Sequence, residues 1–506
     1  MLKHCTFIAA TFIVLLLLLA LPALAEMIVD TAWVRRYNGP ADSTDWVLDL
    51  ALDSNGNAYV TGISWNGTDY DHVTIKYYSN GDTAWVRRFQ SGAYDEDCPV
   101  ATDGYGNVYV SGETRSGYSS DYFTMKYYPN GDVAWLRTYD GPANQRDHPS
   151  DMTADVSGCV YVTGRSQGSG TDYDYATIKY YANGDTAWVR RYNGPGNGSD
   201  GANRIAIDED GNAYVTGASS GIGSSSDFAT IKYYPNGDTA WVRTYNGTGN
   251  SNDWANAIAV DNLGNIYVTG PSWGTYWDIA TIKYFPNGDT AWVRRYEGPD
   301  PSYDASIAIA VDDSGNTFVA GAISGDGYDF ATIKYYPNGD TAWVRKYDGP
   351  ATGGFDFALA ISVDNYGNSY VSGYISGETG RDNITIKYYP NGDTAWVRTC
   401  KGTGGGFEWA TDLALDGFGN VYVTSGATSD DYVTIKYFQA LRGDANGDGV
   451  IDISDVVYLI NYLFIHGPAP VPLAAGDATC GGEVDVADVV YLINYLFVSG
   501  PPPCEP

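Results

Sequence analysis

The stretch DTAWVRRYNGPGNGSDGANRIAIDEDGNAYVTGASSGIGSSSDFATIKYYPNG, residues 185–237, decides the fold, because the chain repeats it eight times with small changes. Its opening phrase, or a near copy, begins at Asp30, Asp82, Asp132, Asp185, Asp238, Asp289, Asp340 and Asp393. The spacing between successive copies is 50 to 53 residues. Self-similarity of this period indicates a fold built by stacking one structural unit.

Each unit contains four strand-like runs, which in the quoted copy are 186–192, 203–207, 212–216 and 228–234. Aromatic and β-branched residues fill them, and Gly, Asn, Asp and Pro separate them. Four antiparallel strands per period are typical of a propeller blade. We therefore expect an all-β eight-bladed β-propeller over residues 26–438, with the short Ile-Ala-Val-Asp type of run innermost and the Trp-Val-Arg run outermost.

The frame of the repeat predicts how the ring closes. The chain starts with an outermost run and stops after three runs, near Phe438. The N-terminal strand can therefore complete the last blade, which removes the exposed sheet edges. These units resemble the bacterial extracellular propeller repeat with a Gly-Asn-x-Tyr-Val-Thr-Gly core, here at residues 211–217 and 264–270. That family is defined by its fold and implies no single activity.

The N-terminus and the charge indicate the compartment. Lys3, an apolar run and Ala23-Leu-Ala25 match a cleavable secretory signal over residues 1–25, so we expect a secreted or cell-surface protein without a membrane span after cleavage. The alternative is an uncleaved membrane anchor. A formal charge of −32 disfavours nucleic acid and anionic lipid as partners. Cys480 and Cys504 are close enough in sequence to form a disulfide in an oxidising compartment.

Carboxylates recur at two positions near the longer, more variable loops of each unit. One set is Asp45, Asp95, Asp147, Asp200, Asp253, Asp304, Asp356 and Glu408. The other is Asp71, Asp121, Asp174, Asp227, Asp278, Asp329, Asp382 and Asp431. Two interpretations stay open. One is binding of a metal or cationic ligand at the channel mouth; the other is structural, either repeated capping of backbone amides or pairing with the repeated lysines Lys76 to Lys436. Recurrence in every blade favours the structural interpretation.

Irregular positions are better ligand candidates than repeated ones, and six tryptophans are irregular. Trp46, Trp254 and Trp409 each directly follow a carboxylate of the first set, and Trp65, Trp273 and Trp277 lie in variable loops. Exposed aromatic faces stack on sugar rings, so these residues are candidate glycan ligands, with packing between loops as the alternative. Two Gly-x-Ser-x-Gly strings lie between strands and lack the strand-to-helix elbow of an acyl-transfer nucleophile.

After a linker at residues 439–442, the pattern changes to a calcium loop followed by a helix. Oxygen ligands stand at loop positions 1, 3, 5, 7, 9 and 12, namely Asp444, Asn446, Asp448, Val450 (through its carbonyl), Asp452 and Asp455. The helical run 455–464 returns unchanged at 488–497. In the second loop Asp477, Asp485 and Asp488 hold positions 1, 9 and 12, but Thr479 and Gly481 replace two ligands. We expect this loop to bind Ca²⁺ weakly or not at all.

This duplicated loop and helix, residues 443–506, resembles a type I dockerin module. The resemblance implies Ca²⁺ as cofactor and a cohesin-like domain on a scaffold or cell-surface protein as partner. In dockerins partner contact involves loop positions 10 and 11, which here are Ile453, Ser454, Val486 and Ala487. A calcium-stabilised structural tail is the alternative.

Taken together, these patterns predict a secreted, non-catalytic binding component whose propeller presents a glycan- or protein-binding face. Two alternatives stay open: a polysaccharide hydrolase or lyase of a cellulosome-like assembly, and a purely architectural envelope protein. No carboxylate pair is singled out by the sequence as catalytic.

Overall fold

The computed structural model describes residues 27–43, 45–92, 97–116, 119–300, 302–325, 327–351, 353–377, 380–401, 408–427, 431–447, 450–471, 473–498 and 500–503. The chain divides into two compact units. One is Thr31–Phe438, and the other includes Gln439–Pro506.

The first unit is an eight-bladed β-propeller of four-stranded antiparallel sheets, as predicted. Strand β1 (Met27–Tyr37) belongs to the last blade. Blades one and two contain β2 (Asp45–Leu52), β3 (Ala58–Trp65), β4 (Tyr70–Tyr77), β5 (Thr83–Phe89), β6 (Val100–Thr102), β7 (Val108–Ser116), β8 (Ser119–Tyr127) and β9 (Val133–Tyr139). Blades three and four contain β10 (Asp147–Ala154), β11 (Val160–Gln167), β12 (Tyr173–Tyr180), β13 (Thr186–Tyr192), β14 (Gly201–Ile207), β15 (Ala213–Ser220), β16 (Ser226–Tyr233) and β17 (Thr239–Tyr245).

The remaining four blades follow the same order. Blades five and six contain β18 (Ala257–Val260), β19 (Ile266–Trp273), β20 (Trp277–Tyr284), β21 (Thr290–Tyr296), β22 (Ala305–Val311), β23 (Thr317–Gly325), β24 (Gly327–Tyr335) and β25 (Thr341–Tyr347). Blades seven and eight contain β26 (Phe357–Val363), β27 (Ser369–Ser376), β28 (Arg381–Tyr388), β29 (Thr394–Cys400), β30 (Glu408–Leu415), β31 (Val421–Ala427) and β32 (Tyr432–Leu441).

The two middle strands of each blade carry the core. In blade four every residue of β16 after its first is buried, whereas in the outermost strand β17 only Trp241 is buried. Both faces of a blade pack against neighbouring blades, so its middle strands lack a solvent face. The core clusters accordingly mix residues of adjacent blades, such as Tyr161 of blade three with Val215 of blade four.

The repeated tryptophan fastens each blade to the next one. In blade one Trp85 Nε1 donates to the Pro129 carbonyl of blade two (3.1 Å), and in blade three Trp188 Nε1 donates to the Pro235 carbonyl of blade four (3.1 Å). The last blade has strand order β1-β32-β31-β30, and its Trp33 Nε1 donates to the Ser79 carbonyl of blade one (3.1 Å). The N-terminal strand therefore closes the ring with the same contact that joins the other blades, which confirms the predicted closure.

The second unit contains two helices and a short 3-10 turn: α1 (Ile453–Ile465), the turn Leu473–Gly476 and α2 (Val486–Val498). Its core is duplicated with an offset of 33 residues, since Ala445, Val456 and Leu459 pack with Ala478, Val489 and Leu492. This matches the predicted small helical module. In the part of the chain that the structure describes, no helix is long and apolar enough to cross a membrane.

Candidate functional site

The first set of carboxylates (Asp45 to Glu408), which we call the first ring, caps backbone amides. Asp200 is completely buried and accepts hydrogen bonds from Gly194 N–H (2.6 Å) and Ser220 N–H (2.7 Å). Asp253 accepts from Gly247 N–H (2.7 Å) and Trp273 N–H (2.9 Å) in the same way. These aspartates therefore hold the variable loops onto the sheet, which is the structural interpretation. Asp95 lies outside the described residues.

The second set of carboxylates, which we call the second ring, pairs in four blades with a basic residue of the outermost strand. Asp71 pairs with Arg88 (3.0 Å), and Asp174 pairs with Arg191 (2.8 Å). Asp278 pairs with Arg295 and Asp329 with Lys346, each at 2.6 Å.

Where the structure describes an ion pair of a repeated lysine, the partner is a hairpin aspartate and not a member of the second ring, unlike the pairing considered in the structural alternative above. Lys126 instead approaches the hairpin residue Asp103 (3.7 Å), and Lys436 approaches Asp416 (3.5 Å). Their ammonium groups lie over buried tyrosine rings, since Lys126 Nζ is 4.8 Å from the Tyr109 centroid. The sequence alone could not show which aspartates pair with the lysines, because the second-ring aspartates and the hairpin aspartates recur with the same period.

Among the described residues, one group of three carboxylates contains a member of each ring. Asp121, Asp140 and Asp147 can bring one oxygen each within 4.8 Å of one another. Burial raises the pKa of Asp121 and of Asp147, so both groups favour their protonated forms more than an exposed aspartate does. Asp140 is a residue that the repeat analysis did not identify.

The central channel holds a cavity of about 270 Å³ with one charged and one apolar side. Asp49, Asp151, Asp412 and Arg204 line the charged side, and Ile258, Ile309 and Leu359 are among the apolar residues. Asp151 accepts from Ile205 N–H of the next blade (2.7 Å), and burial raises its pKa to about 7. These channel acids thus join neighbouring innermost strands, a role that the sequence analysis did not assign.

His148 connects blades two and three. Its Nε2 bonds Asp97 Oδ2 (3.0 Å), and its Nδ1 bonds Glu113. Burial lowers the pKa of His148, but the two carboxylates outweigh burial and raise the pKa to about 9. The imidazolium is therefore the form that this pocket stabilises.

Three of the predicted tryptophans form part of a continuous aromatic surface. Trp277 stacks on Trp254 with centroids 4.9 Å apart and meets Trp273 edge to face at 5.3 Å. It also contacts Tyr303 of blade six at 6.0 Å, and Tyr303 contacts Tyr328 at 6.0 Å. We call this surface the aromatic belt; its members are Trp254, Trp273, Trp277, Tyr303, Tyr328, Phe355, Phe357 and Tyr374.

Backbone contacts between blades position the belt. Trp277 and Tyr303 form a parallel bridge between blades five and six, as do Tyr328 and Phe355 between blades six and seven. Phe355 N–H also donates to Ser376 Oγ (2.7 Å). All belt members keep part of their surface exposed, and Phe355 is 51% exposed. Sequence analysis missed the tyrosine and phenylalanine members, because their link appears only when the loops of three blades meet.

The other predicted tryptophans lie elsewhere. Trp65 is in blade one, half-buried, and meets Tyr70 edge to face at 5.0 Å. Trp46 is half-buried at the start of β2. The side chain of Trp409 lies outside the described residues. The sequence analysis treated all six tryptophans as candidate glycan ligands, whereas the structure brings only Trp254, Trp273 and Trp277 of the described ones into contact with each other.

In the C-terminal unit the first predicted calcium loop is tied to the start of α1. Asp455, completely buried, accepts from Asn446 N–H (3.1 Å) and Asp452 N–H (2.8 Å). Asp452 caps α1 by accepting from Ser454 N–H (2.7 Å). Hydrogen bonds from the Ser454 hydroxyl and then from its N–H lower the pKa of Asp452. Asn446 Nδ2 donates to Ser454 Oγ (2.6 Å). The amide thus uses its nitrogen in this bond, and its oxygen Oδ1 is the atom that would bind calcium. Asp448 lies outside the described residues.

The donor set of the first loop fits Ca²⁺. Its described members are four oxygen-bearing side chains and the Val450 carbonyl, and hard oxygen ligands are what calcium prefers. The second loop does not fit. The Thr479 hydroxyl donates its proton to Asp488 (2.8 Å), and Gly481 supplies no side chain. Cys480 is disulfide-bonded, but Cys504 lies outside the described residues, so their pairing stays a prediction.

Both helices expose an apolar stripe. Val457 and Val490, at equivalent positions, are each 51% exposed, and Phe464 and Phe497 are exposed to a similar extent. Of the predicted partner residues, Ile453, Val486 and Ala487 are exposed and Ser454 is half-buried. Exposed apolar patches of this kind mark protein interaction surfaces.

The class of protein follows from these two parts: a β-propeller joined to a duplicated calcium-loop module. The chain carries a dockerin type I domain, matched over residues 442–497. It also carries β-propeller repeats, matched over residues 32–71, 187–223 and 243–276. Dockerin type I domains bind calcium and imply docking to a cohesin domain.

Comparison with curated proteins finds no match. Among solved structures, Sqt1 from Chaetomium thermophilum superposes with a TM-score of 0.51 at 11% identity, covering 80% of this chain and 98% of that one. The same protein bound to the N-terminus of the ribosomal protein L10 gives 0.52 at 10% identity, covering 80% and 99%. At these identities the likeness shows the fold alone.

Proposed function

We propose that this chain is an extracellular, non-catalytic binding protein: its dockerin domain attaches it, in a calcium-dependent way, to a cohesin-bearing scaffold, and its aromatic belt binds a polysaccharide. Polysaccharide binding by the propeller rests on the belt itself, in which eight aromatic side chains contact one another across three blades.

Calcium-dependent docking is supported by the connection between the first loop and α1. Asp452 and Asp455 are both predicted ligands and both part of the capping box that starts the helix. Calcium bound by them would fix the first turn of α1, and with it the exposed Ile453 and Val457. An apolar stripe held in this way gives a cohesin a preorganised surface.

The docking half is tested by capture of the full chain on immobilised cohesin domains, with calcium and with EDTA. The stripes of α1 and α2 have the same core sequence, so Val457→Asp and Val490→Asp are made singly and together. We expect the double variant to lose at least 90% of capture. Val471→Asp, at an exposed residue outside both helices, is the control. Equal capture of the double variant and wild type would remove the stripes from the proposal.

Polysaccharide binding is supported by the geometry of the belt. Successive ring centroids lie 4.9 to 6.0 Å apart from Trp254 through Trp277, Tyr303 and Tyr328 to Phe355. Aromatic rings stack on the apolar faces of sugars, and their polar edges reach hydroxyl groups. A net charge of −32 favours neutral over anionic polysaccharides.

The belt is tested by affinity electrophoresis of the full chain on a panel of neutral polysaccharides. We expect Trp277→Ala, at the centre of the belt, and Phe355→Ala, at its exposed end, each to weaken binding at least tenfold. Trp65→Ala in blade one is the matched control and should bind within twofold of wild type. Binding that is unchanged in both belt variants, or release of reducing sugar by the wild type, contradicts the proposal.

A further inference from the structure

The positively charged side chain of Arg442 lies in the second dockerin loop. Arg442 Nη1 lies 3.4 Å from Asp477 Oδ2 and donates to the Asp477 carbonyl at 2.9 Å. Both side chains are nearly buried, with 11% and 8% of their surfaces exposed. Asp477 holds position 1 of the loop, where a bound Ca²⁺ takes its first carboxylate.

The rest of the loop is closed by hydrogen bonds. Asp477 also accepts from Gly481 N–H (2.9 Å) and Gly482 N–H (3.0 Å). Asp488, at position 12, accepts from Thr479 N–H (2.9 Å) and Asp485 N–H (2.8 Å), besides the Thr479 hydroxyl. Asp455 of the first loop accepts the equivalent N–H bonds from Asn446 and Asp452, so these backbone bonds do not distinguish the loops. What distinguishes the second loop is the Arg442 guanidinium at Asp477 and the Thr479 hydroxyl at Asp488.

The duplication explains how a guanidinium reaches the second loop. Residue 442 precedes the first loop by two positions, and its equivalent before the second loop, 33 residues later, is Ala475. Gly443 N–H donates to the Ala475 carbonyl (2.7 Å), so the two lead-in segments lie side by side. Arg442 thereby reaches the loop of the other half, whereas the buried Ala475 has no charge to offer Asp444.

We propose that the Arg442 guanidinium takes the place of the ion in the second loop, so that the module binds one Ca²⁺, at the first loop only. The second half is then held without calcium by Arg442, Thr479 and the disulfide at Cys480. Calcium controls only the half that contains α1. This inference deepens the calcium dependence in the proposed function, but it concerns stoichiometry and order in the module without its partner.

Calcium titration of the full chain, stripped with chelator and followed by calorimetry, tests the inference. Sites elsewhere in the chain cancel, because the quantity used is the difference between wild type and variant. Asp444→Asn is expected to lose one Ca²⁺, and the matched Asp477→Asn is expected to lose none. Loss of one Ca²⁺ from Asp477→Asn would overturn the proposal, as would an unchanged count in Asp444→Asn.

Hydrogen exchange in EDTA provides a second test that does not depend on counting ions. In the wild type we expect the amides of α2 to stay protected and those of α1 to exchange at least tenfold faster than with calcium. Arg442→Gln should speed the exchange of α2 at least tenfold in both conditions, while Arg146→Gln, at an exposed arginine of the propeller, should not. Unchanged exchange of α2 in Arg442→Gln overturns the proposal, whereas failure of cohesin capture alone affects only the proposed function.

Discussion

Replacing Asp200 with alanine distinguishes amide capping from metal binding at the acidic ring. The substitution removes a completely buried acceptor from the N–H groups of Gly194, which is buried, and Ser220, which is half-buried. An orphaned buried donor costs about 1–3 kcal/mol, so two of them cost about 4 kcal/mol. At an unfolding entropy of about 2.1 cal/mol/K per residue, a propeller of this size should lose about 5 °C in Tm.

The assay is differential scanning calorimetry of the full chain with calcium and with EDTA. Asp238→Ala is the control, because Asp238 is an exposed turn residue whose carboxylate accepts from Asn236 Nδ2. It should change the stability by less than about 0.5 kcal/mol. Asp200→Asn keeps one acceptor and should fall between the two. A Tm of Asp200→Ala within 1 °C of wild type, or a calcium-induced rise in propeller Tm that this variant abolishes, would refute the capping argument.

Three further predictions concern the propeller. The pKa of His148 is raised to about 9, so its carboxylate partners stabilise the fold fully below about pH 6.5. This contribution, up to about 3 kcal/mol, is lost as the pH rises through 9; urea unfolding from pH 6 to 10 should show that slope in wild type but not in His148→Gln. The pKa of Asp151 is raised to about 7, so ionisation costs stability as the pH rises from about 4 to 7. Asp151→Asn should reduce that slope in urea unfolding, by roughly 1–4 kcal/mol. Trp33→Ala should cost about 3–5 kcal/mol in urea unfolding, as Trp188→Ala should, because both residues make the same contact to the next blade; a much smaller cost for Trp33 would mean that β1 does not close the ring.

The architecture could be predicted from the sequence because the same four-strand pattern recurs in every blade. The outermost strand of the quoted unit was predicted at residues 186–192 and is Thr186–Tyr192. The inner boundaries were less accurate: the run predicted at 212–216 is Ala213–Ser220, four residues longer at its end. Polar Ser219 and Ser220 gave no strand signal, yet they extend the strand because β16 continues alongside them.

The site could be predicted only in part, because its residues come from different blades. Trp273 and Trp277 are close in sequence, so their meeting was foreseeable. The contact of Trp277 with Tyr303 depends on a parallel bridge between loops of two blades. Likewise, the missing ligands of the second calcium loop are visible in the sequence. That Arg442 reaches Asp477, rather than its own loop, depends on how the two halves pair.

The belt also shows how a repeat can acquire a ligand surface at little cost to its fold. Trp254 and Gly201 hold the same position, each directly after a buried capping aspartate. In both blades that aspartate makes the same two bonds to loop amides, so the backbone is fixed before the next side chain is chosen. Because the aspartate carries the structural role, the following residue is free to differ between blades. Blades five and seven place Trp254 and Phe357 at this position, and Tyr303 and Tyr328 of blade six connect them into one contiguous surface.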